Sequence, residues 1–360
     1  MDRVSIFQPN NHSQWRIAYK SITPEVSDRV KKILLEQYDL DRVAKVEQVA
    51  EVEVNSNNFK VTVSDGKCFL LRRYITNSDG KMAERTLDII ERLAGQGVRV
   101  PQVVKTVGGG KVAVVAGEPH ALFAFVEADH YRGTGEELVS AGREIAHLDK
   151  ALADLPPTHD WEAELSLPEK TKELRSYDLE IWQEIFRKAE ERATSESVDQ
   201  FHAELLNQKD FILQSVKETL VAKPSKTSFG VVHFDLHPHN LLADGKEILT
   251  ILDLDSLRYL ERARALAFAF HRMVRQYVIF NQRTDYAPAT AEAKNIFINE
   301  YLNFHNLDKT EISSISYFIR DEALCRLTYA MKDQYFNNNP AWRQDLPKQT
   351  ASLAEAAYFE

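Results

Sequence analysis

Residues 231–257, V-V-H-F-D-L-H-P-H-N-L-L-A-D-G-K-E-I-L-T-I-L-D-L-D-S-L, constrain this chain more than any other stretch. An apolar run leads into a charged loop, then a second apolar run, Asp244-Gly245, and a third apolar run ending on two acids. Asp-Gly between apolar runs is a strong hairpin signal, so residues 241–243 and 248–252 are expected to pair. That pairing sets Asn240 beside Asp253. Asp253 and Asp255 stand two apart, and on an extended strand this spacing sends both side chains to one face. An asparagine and strand-end carboxylates are oxygen ligands. Mg²⁺ takes one or two carboxylates and fills its remaining positions with phosphate oxygens and water. The stretch therefore reads as a phosphoryl-transfer site, with Asn240 and Asp253 as metal ligands and Asp255 in support.

At 360 residues the chain has room for two lobes, each with its own core. Its formal net charge of −9 argues against a nucleic-acid surface, because a phosphate backbone rewards basic patches. Cys68 and Cys325 lie far apart and form neither a disulfide framework nor a zinc pattern. The opening M-D-R-V-S-I-F-Q-P-N-N lacks the apolar core of a signal peptide. No run approaches the roughly 18 apolar residues a membrane span needs. The expectation is a cytoplasmic protein without membrane contact; monomer and homodimer both stay open.

Along the chain, residues 1–22 carry no pattern. Thr23-Pro24-Glu25 is a helix start, with proline in the first turn and an acid complementing the dipole. From about residue 46 the period changes. Three β-rich runs follow, separated by residues 55–58 and by the hairpin signal Asp65-Gly66. A helical pattern over about 77–97 carries Leu87, Ile90 and Leu93 on one face. Gly108-Gly109-Gly110 then reads as a hairpin turn, and residues 121–126 as another strand. Beyond Gly133 the pattern is mostly helical: 135–155, two charged helices over about 174–221, then 263–280, 291–304 and 312–336. The expectation is an α+β chain with a β-rich lobe over 1–127 and a mainly helical lobe over 128–360.

A phosphoryl-transfer enzyme must hold nucleotide and metal, orient the acceptor hydroxyl and neutralise charge. His233, Asp235 and Asn240 keep the kinase catalytic-loop spacing H-x-D-x-x-x-x-N, which makes Asp235 the proton acceptor. This loop, followed by I-L-D-L-D, resembles the aminoglycoside phosphotransferase and choline kinase superfamily, small-molecule kinases with a protein-kinase-like fold. The resemblance implies a bilobal fold, ATP (or GTP) with Mg²⁺, and phosphorylation of a hydroxyl on a small molecule. It implies that Arg72 stands at the end of the third strand where a cation clamps phosphates, with Arg73 as its competitor. Glu84 is the implied partner of that cation, with Glu91 as a second candidate. The polar loop Ser56, Asn57 and Asn58 would cap phosphates, and Phe125, Val126 and Glu127 would form the hinge beside adenine. Phe234 departs from the family, which usually carries glycine there.

His233, His237 and His239 around Asp235 also resemble metallohydrolase ligands. That motif opens a barrel of about 250 residues, however, and the chain beyond Asp235 is about half that and reads as helix. A kinase-like binding protein without turnover is the reading from another class, supported by the missing loop glycines, Arg72 and Phe234. The tail of the chain loosely resembles N-acetylhexosamine kinases, which points to a sugar-like acceptor with Glu322 and Arg326 as contacts; Tyr131 is a candidate for the cage of a cationic acceptor, and His237 a loop-shaping or substrate-side residue. Aminoglycoside, choline or ethanolamine, and homoserine are the alternative acceptors.

Overall fold

The computed structural model describes residues 16–50, 56–75, 80–156, 160–195 and 200–360. They fall into two compact units, residues up to 154 together with 237–256, and residues 155–236 together with 257–360. Compactness thus groups the 237–256 hairpin with the sheet, whereas the sequence reading places one boundary near 127.

The first unit is built on an antiparallel sheet in the order Tyr19–Lys20, Val43–Val49, Ser56–Val63, Cys68–Tyr74, Glu118–Ala124, Val103–Val104. Period-two alternation decides its two faces. Phe59, Val61 and Leu71 point to one side and pack with Val30, Ile33, Leu34 and Tyr38 of the helix Pro24–Tyr38. Leu34, Val61 and Leu71 are fully buried, each worth about 1.5–3 kcal/mol relative to exposure. Thr23 caps that helix, its Oγ1 accepting from the Val26 amide at 3.5 Å. The expected Asp65-Gly66 hairpin joins Ser56–Val63 to Cys68–Tyr74, with Gly66 at φ +87°. Gly108–Gly110 does not close a hairpin. Val103–Val104 and Ala113–Val115 each pair with Glu118–Ala124 instead. The tight turn lies at Ala116 and Gly117, φ +54° and +80°, the double left-handed geometry of a two-residue hairpin loop.

The Asp244-Gly245 hairpin forms as expected: Leu241 faces Ile251 and Leu242 faces Thr250, with Asp129–His130 as a third strand. Its tip is tied to the helix Gly135–Ala153. Thr134 Oγ1 donates to Gly245 O at 3.0 Å, and Ser140 Oγ accepts from the Ile248 amide at 2.9 Å. Glu247 takes up Arg99 and Arg143.

In the second unit the strands Phe229–His233 and Leu257–Glu261 pair antiparallel, with His233 opposite Leu257. Trp182, Ile185 and Phe186 of the helix Leu179–Ser195 pack on Leu324, Leu327 and Met331 of Ile315–Phe336. Within the charged stretch expected as two helices, the described residues form Leu179–Ser195, Gln200–Asn207 and Lys209–Val221, with Glu169–Arg175 just before them. The first break follows from Ser176 in extended backbone and from Asp178, whose carboxylate accepts from the Ile181 amide at 2.7 Å. The α+β class with a kinase-like β-then-α order is borne out. Among the described residues no helix is long and apolar enough to cross a membrane.

Candidate active site

Strand alternation separates the two candidate cations. Asn58 pairs with Arg72 in register and Asn57 with Arg73, so the two pairs occupy opposite faces of the sheet. Arg73 turns towards the helix Pro24–Tyr38 side, where its Nη1 reaches Glu118 at 3.1 Å. Asn57 lies on that side too, its Oδ1 accepting from Gln48 Nε2 at 3.5 Å. Arg72 faces the strand-end acids: its Nη2 is 2.8 Å from Asp255 Oδ2 and 3.4 Å from Asp253 Oδ1. Ser56 opens the strand, and its side chain lies outside the described residues.

Simple alternation does not explain why both acids converge. The strand ends at Ile251, Asp253 sits at φ +58°, and Leu254–Ser256 is a 3-10 turn. A left-handed aspartate costs about 1–2 kcal/mol. Ser256 Oγ donates to Asp253 Oδ2 at 2.7 Å and the Ser256 amide to Asp253 O at 3.0 Å, which hold the turn. Asn240 is beside this turn, its carbonyl accepting from the Leu252 amide at 2.8 Å. Thus Asn240, Asp253 and Asp255 are brought together, with Arg72 opposite the two acids.

Other expectations change. Glu84 is exposed on the helix Lys81–Gly95. Glu91 pairs with Lys111 at 2.8 Å and Lys105 at 3.6 Å. Arg72 thus has two strand-end acids beside it. Tyr131 is fully buried, so its ring is core and is not a surface for an acceptor. His237 caps the 3-10 turn Pro238–Asn240, its Nδ1 accepting from the His239 amide at 3.3 Å. His239 in turn stacks on His130 at 5.1 Å. Among the described residues no three His, Cys, Asp or Glu side chains converge as metal ligands. A donor set of one amide oxygen and one or two carboxylates fits a hard cation that shares its shell with phosphates, and not a protein-enclosed transition metal.

Phe125 and Glu127 meet one side chain absent from the sequence reading. Lys60 lies two residues beyond Asn58, on the same face as Arg72, and its Nζ pairs with Glu127 Oε2 at 2.7 Å. It also lies 4.3 Å from the centre of the Phe125 ring, while the Phe125 amide donates to Cys68 O at 3.1 Å. One sheet face therefore runs from Arg72, at the acids, through Asn58 to Lys60, at Phe125 and Glu127. No motif marks Lys60; only its period-two offset from Asn58 could have found it.

Asp235 belongs to the second unit and is surrounded by a charged network of that unit. His233 is buried, and its Nδ1 accepts from the Asp235 amide at 3.3 Å, a loop-shaping role. Arg326 Nη2 lies 3.2 Å from Asp235 Oδ1, and Arg326 Nε donates to Glu322 Oε1 at 2.7 Å. Glu322 Oε2 is 2.6 Å from Arg175 and 3.3 Å from Arg264. Burial alone pushes the Glu322 carboxyl up, but Arg175, Arg326 and Arg264 outweigh it and hold it down at about 2. Glu322 and Arg326 are thus tied into the protein and not held out to an acceptor. Arg264 Nη2 also binds Asp321 at 2.6 Å, and Tyr177 donates to the same carboxylate.

Beside this network is a cleft of about 310 Å³ in the helical unit. Its wall carries Arg175, Lys223 and Arg264 with Glu261 and Asp321, so both signs of charge face one space. Arg175 stacks on Phe234, 5.1 Å from its ring centre, and Phe234 directly precedes Asp235.

This geometry agrees with the comparisons. The chain matches the phosphotransferase enzyme family over residues 47–292. A homoserine kinase of Methylocella silvestris is 27% identical over 245 residues, 66% of this chain and 69% of that protein. One of Methylobacterium nodulans is 26% identical over 238 residues, 65% of each chain. A spectinomycin phosphotransferase solved with ADP and spectinomycin has a TM-score of 0.65 at 16% identity, covering 92% of this chain and 93% of its own. A microcompartment-associated aminopropanol kinase has a TM-score of 0.56 at 18% identity, covering 92% and 95%. At these identities the solved structures speak for the fold. With more than half the chain matched, the chain belongs to the phosphotransferase enzyme family.

Proposed function

We propose that the protein is a Mg²⁺- and ATP-dependent kinase that phosphorylates the hydroxyl of a small amino-acid-like alcohol, of homoserine type. The observation that carries the phosphotransferase reading is Arg72, held opposite Asp253 and Asp255 on the sheet face that leads to Phe125 and Glu127. Asn240 and Asp253, with Asp255 in support, are the residues that would hold Mg²⁺. Bound there, the ion neutralises phosphate charge and orients the nucleotide. Arg72 binds phosphate oxygens through its fork, and Asn58, with Asn57 and Ser56 through backbone N–H groups, borders them. Phe125, Val126 and Glu127 line adenine. Asp235 accepts the acceptor's proton as its oxygen bonds to the γ-phosphorus and the bond to ADP breaks. Residues 1–127 then serve the nucleotide, and 128–360 the metal, base and acceptor.

Two observations support an amino-acid acceptor over a neutral sugar. The curated relatives named above are homoserine kinases, and the cleft presents Arg175 and Lys223 together with Asp321 and Glu261. A zwitterion carries both complementary charges. The test is a phosphate-transfer screen over homoserine and related amino alcohols, sugars, aminoglycosides and choline, using wild type, Asp235→Asn and Asp253→Ala. Transfer to a hydroxy amino acid is expected, lost by at least about 100-fold in Asp235→Asn, with Mg-ATP stabilisation lost in Asp253→Ala. Preferred transfer to a sugar would overturn the acceptor reading. Turnover undiminished in Asp235→Asn would overturn the base assignment.

A further inference from the structure

We propose that Arg326 is a positioning residue for the proton-accepting carboxylate, holding Asp235 through one edge of its guanidinium while Glu322 fixes the other. The inference rests on Asp235 being the base and goes beyond it by assigning what aims that base. Arg326 lies four residues after Glu322 on the helix Ile315–Phe336, one turn along the same face. Its Nε is committed to Glu322 Oε1 at 2.7 Å, while its Nη2 reaches Asp235 Oδ1 at 3.2 Å and Phe234 O at 3.5 Å. A guanidinium spans both acids in one rigid plane, which a lysine ammonium cannot do. The plane is also clamped. Arg326 Cζ lies 4.2 Å from the Phe268 ring centre and 5.6 Å from that of Phe234, within reach for a cation–π contact.

This gives Phe234 a role. It stands where the family usually has glycine, and it supports Arg326 and Arg175 (5.1 Å) together. Those two arginines are the ones that flank Glu322 most closely, at 2.7 and 2.6 Å. The order of dependence is therefore Arg175 and Arg264 on Glu322, Glu322 on Arg326, and Arg326 on Asp235. Arg272 of the helix Arg262–Phe280 also adds positive potential at Asp235, and Glu355 of Asp345–Glu355 opposes Arg272 in turn. Arg275 lies beside Glu355, and His233 receives the Asp235 amide. Arg326 brings a charged donor to the Asp235 carboxylate, and Asp235 keeps over a third of its side-chain surface exposed.

The experiment compares pH profiles of kcat and kcat/KM for wild type, Arg326→Gln, Arg326→Lys and Asp235→Asn, with the acceptor found by the screen above. Arg326→Gln is expected to lower kcat about 10- to 100-fold with KM for Mg-ATP within about threefold. Its acidic limb is expected to move to higher pH, because the carboxylate loses its cation. Arg326→Lys should restore the acidic limb but only part of kcat, since one ammonium cannot hold Asp235 and Glu322 at once. If Arg326→Gln does not fold, Arg326→Lys decides alone. Wild-type kcat there overturns the proposal, and a roughly tenfold loss with an unmoved limb supports it. A fall in melting temperature with kcat and pH profile unchanged in Arg326→Gln also overturns it. Undiminished turnover in Asp235→Asn removes the base reading instead, so the two failures are distinct.

Discussion

Replacing Glu322 by glutamine should destabilise the helical unit by about 3–5 kcal/mol at pH 7, the usual cost of removing one partner from a buried ion network. Glu322 is essentially enclosed, with Arg326 at 2.7 Å, Arg175 at 2.6 Å and Arg264 at 3.3 Å. The drop of its carboxyl from an ordinary 4.5 to about 2 corresponds to about 3 kcal/mol at 1.36 kcal/mol per pH unit. Glutamine of the same shape keeps one acceptor oxygen but turns an amide donor towards guanidinium donors. The sign follows from the depressed value. The stabilisation is complete above pH 4.5 and is lost as the pH falls through about 2, because only the unfolded chain takes up the proton in between. Urea unfolding followed by tryptophan fluorescence measures it well, since Trp182 is buried against Leu324 and Leu327 of the helix that carries Glu322. With a slope of about 2 kcal/mol/M, the midpoint of Glu322→Gln should fall by about 1.5–2.5 M at pH 7. The gap to wild type should stay constant down to pH 5 and narrow in stronger acid. A gap below about 1 kcal/mol, or one indifferent to acid, would refute the reasoning that three arginines bind a carboxylate there.

Two further expectations concern the sheet unit. Arg72→Ala should lower kcat/KM for ATP about 10- to 100-fold, whereas Arg73→Ala, on the opposite face, should leave it within about threefold. Equal losses in initial-rate measurements would show that the strand register does not select the phosphate cation. His120 is buried, and burial first, then Arg29 and Arg73, lower its imidazole to about 4. Its stabilising neutral state is complete above about pH 6.5 and is lost as the pH falls towards 4, by up to about 3 kcal/mol. His120→Gln should flatten this part of the pH-dependence of unfolding; an unchanged slope between pH 6.5 and 4.5 would count against the buried neutral histidine.

Sequence alone determined the hairpin that carries Asn240 and Asp253, because Asp244-Gly245 and the flanking apolar runs are local signals. Spacing then placed Asn240 next to Asp253, and the backbone agrees through the Leu252 amide and the Asn240 carbonyl. The helix start at Thr23 and the buried stripe of Leu87, Ile90 and Leu93 are local in the same sense. Arg72 and Arg73 could not be told apart from order in the chain, since adjacent residues on a strand differ only in face. Pairing with Asn58 and Asn57 decided it. The convergence of Asp253 and Asp255 on Arg72 came from a left-handed residue and a 3-10 turn, which no period-two argument anticipates. Glu322 and Arg326 show the same limit most clearly. In sequence they are two charged residues one helical turn apart, which more often marks a solvated face. Only tertiary packing brought Arg175, Arg264, Phe234 and Phe268 around them, from segments as far as 147 residues away. That packing turned a charged helix face into a buried network ending on Asp235. Local chemistry wrote the loop, and long-range contact supplied the cations that hold it.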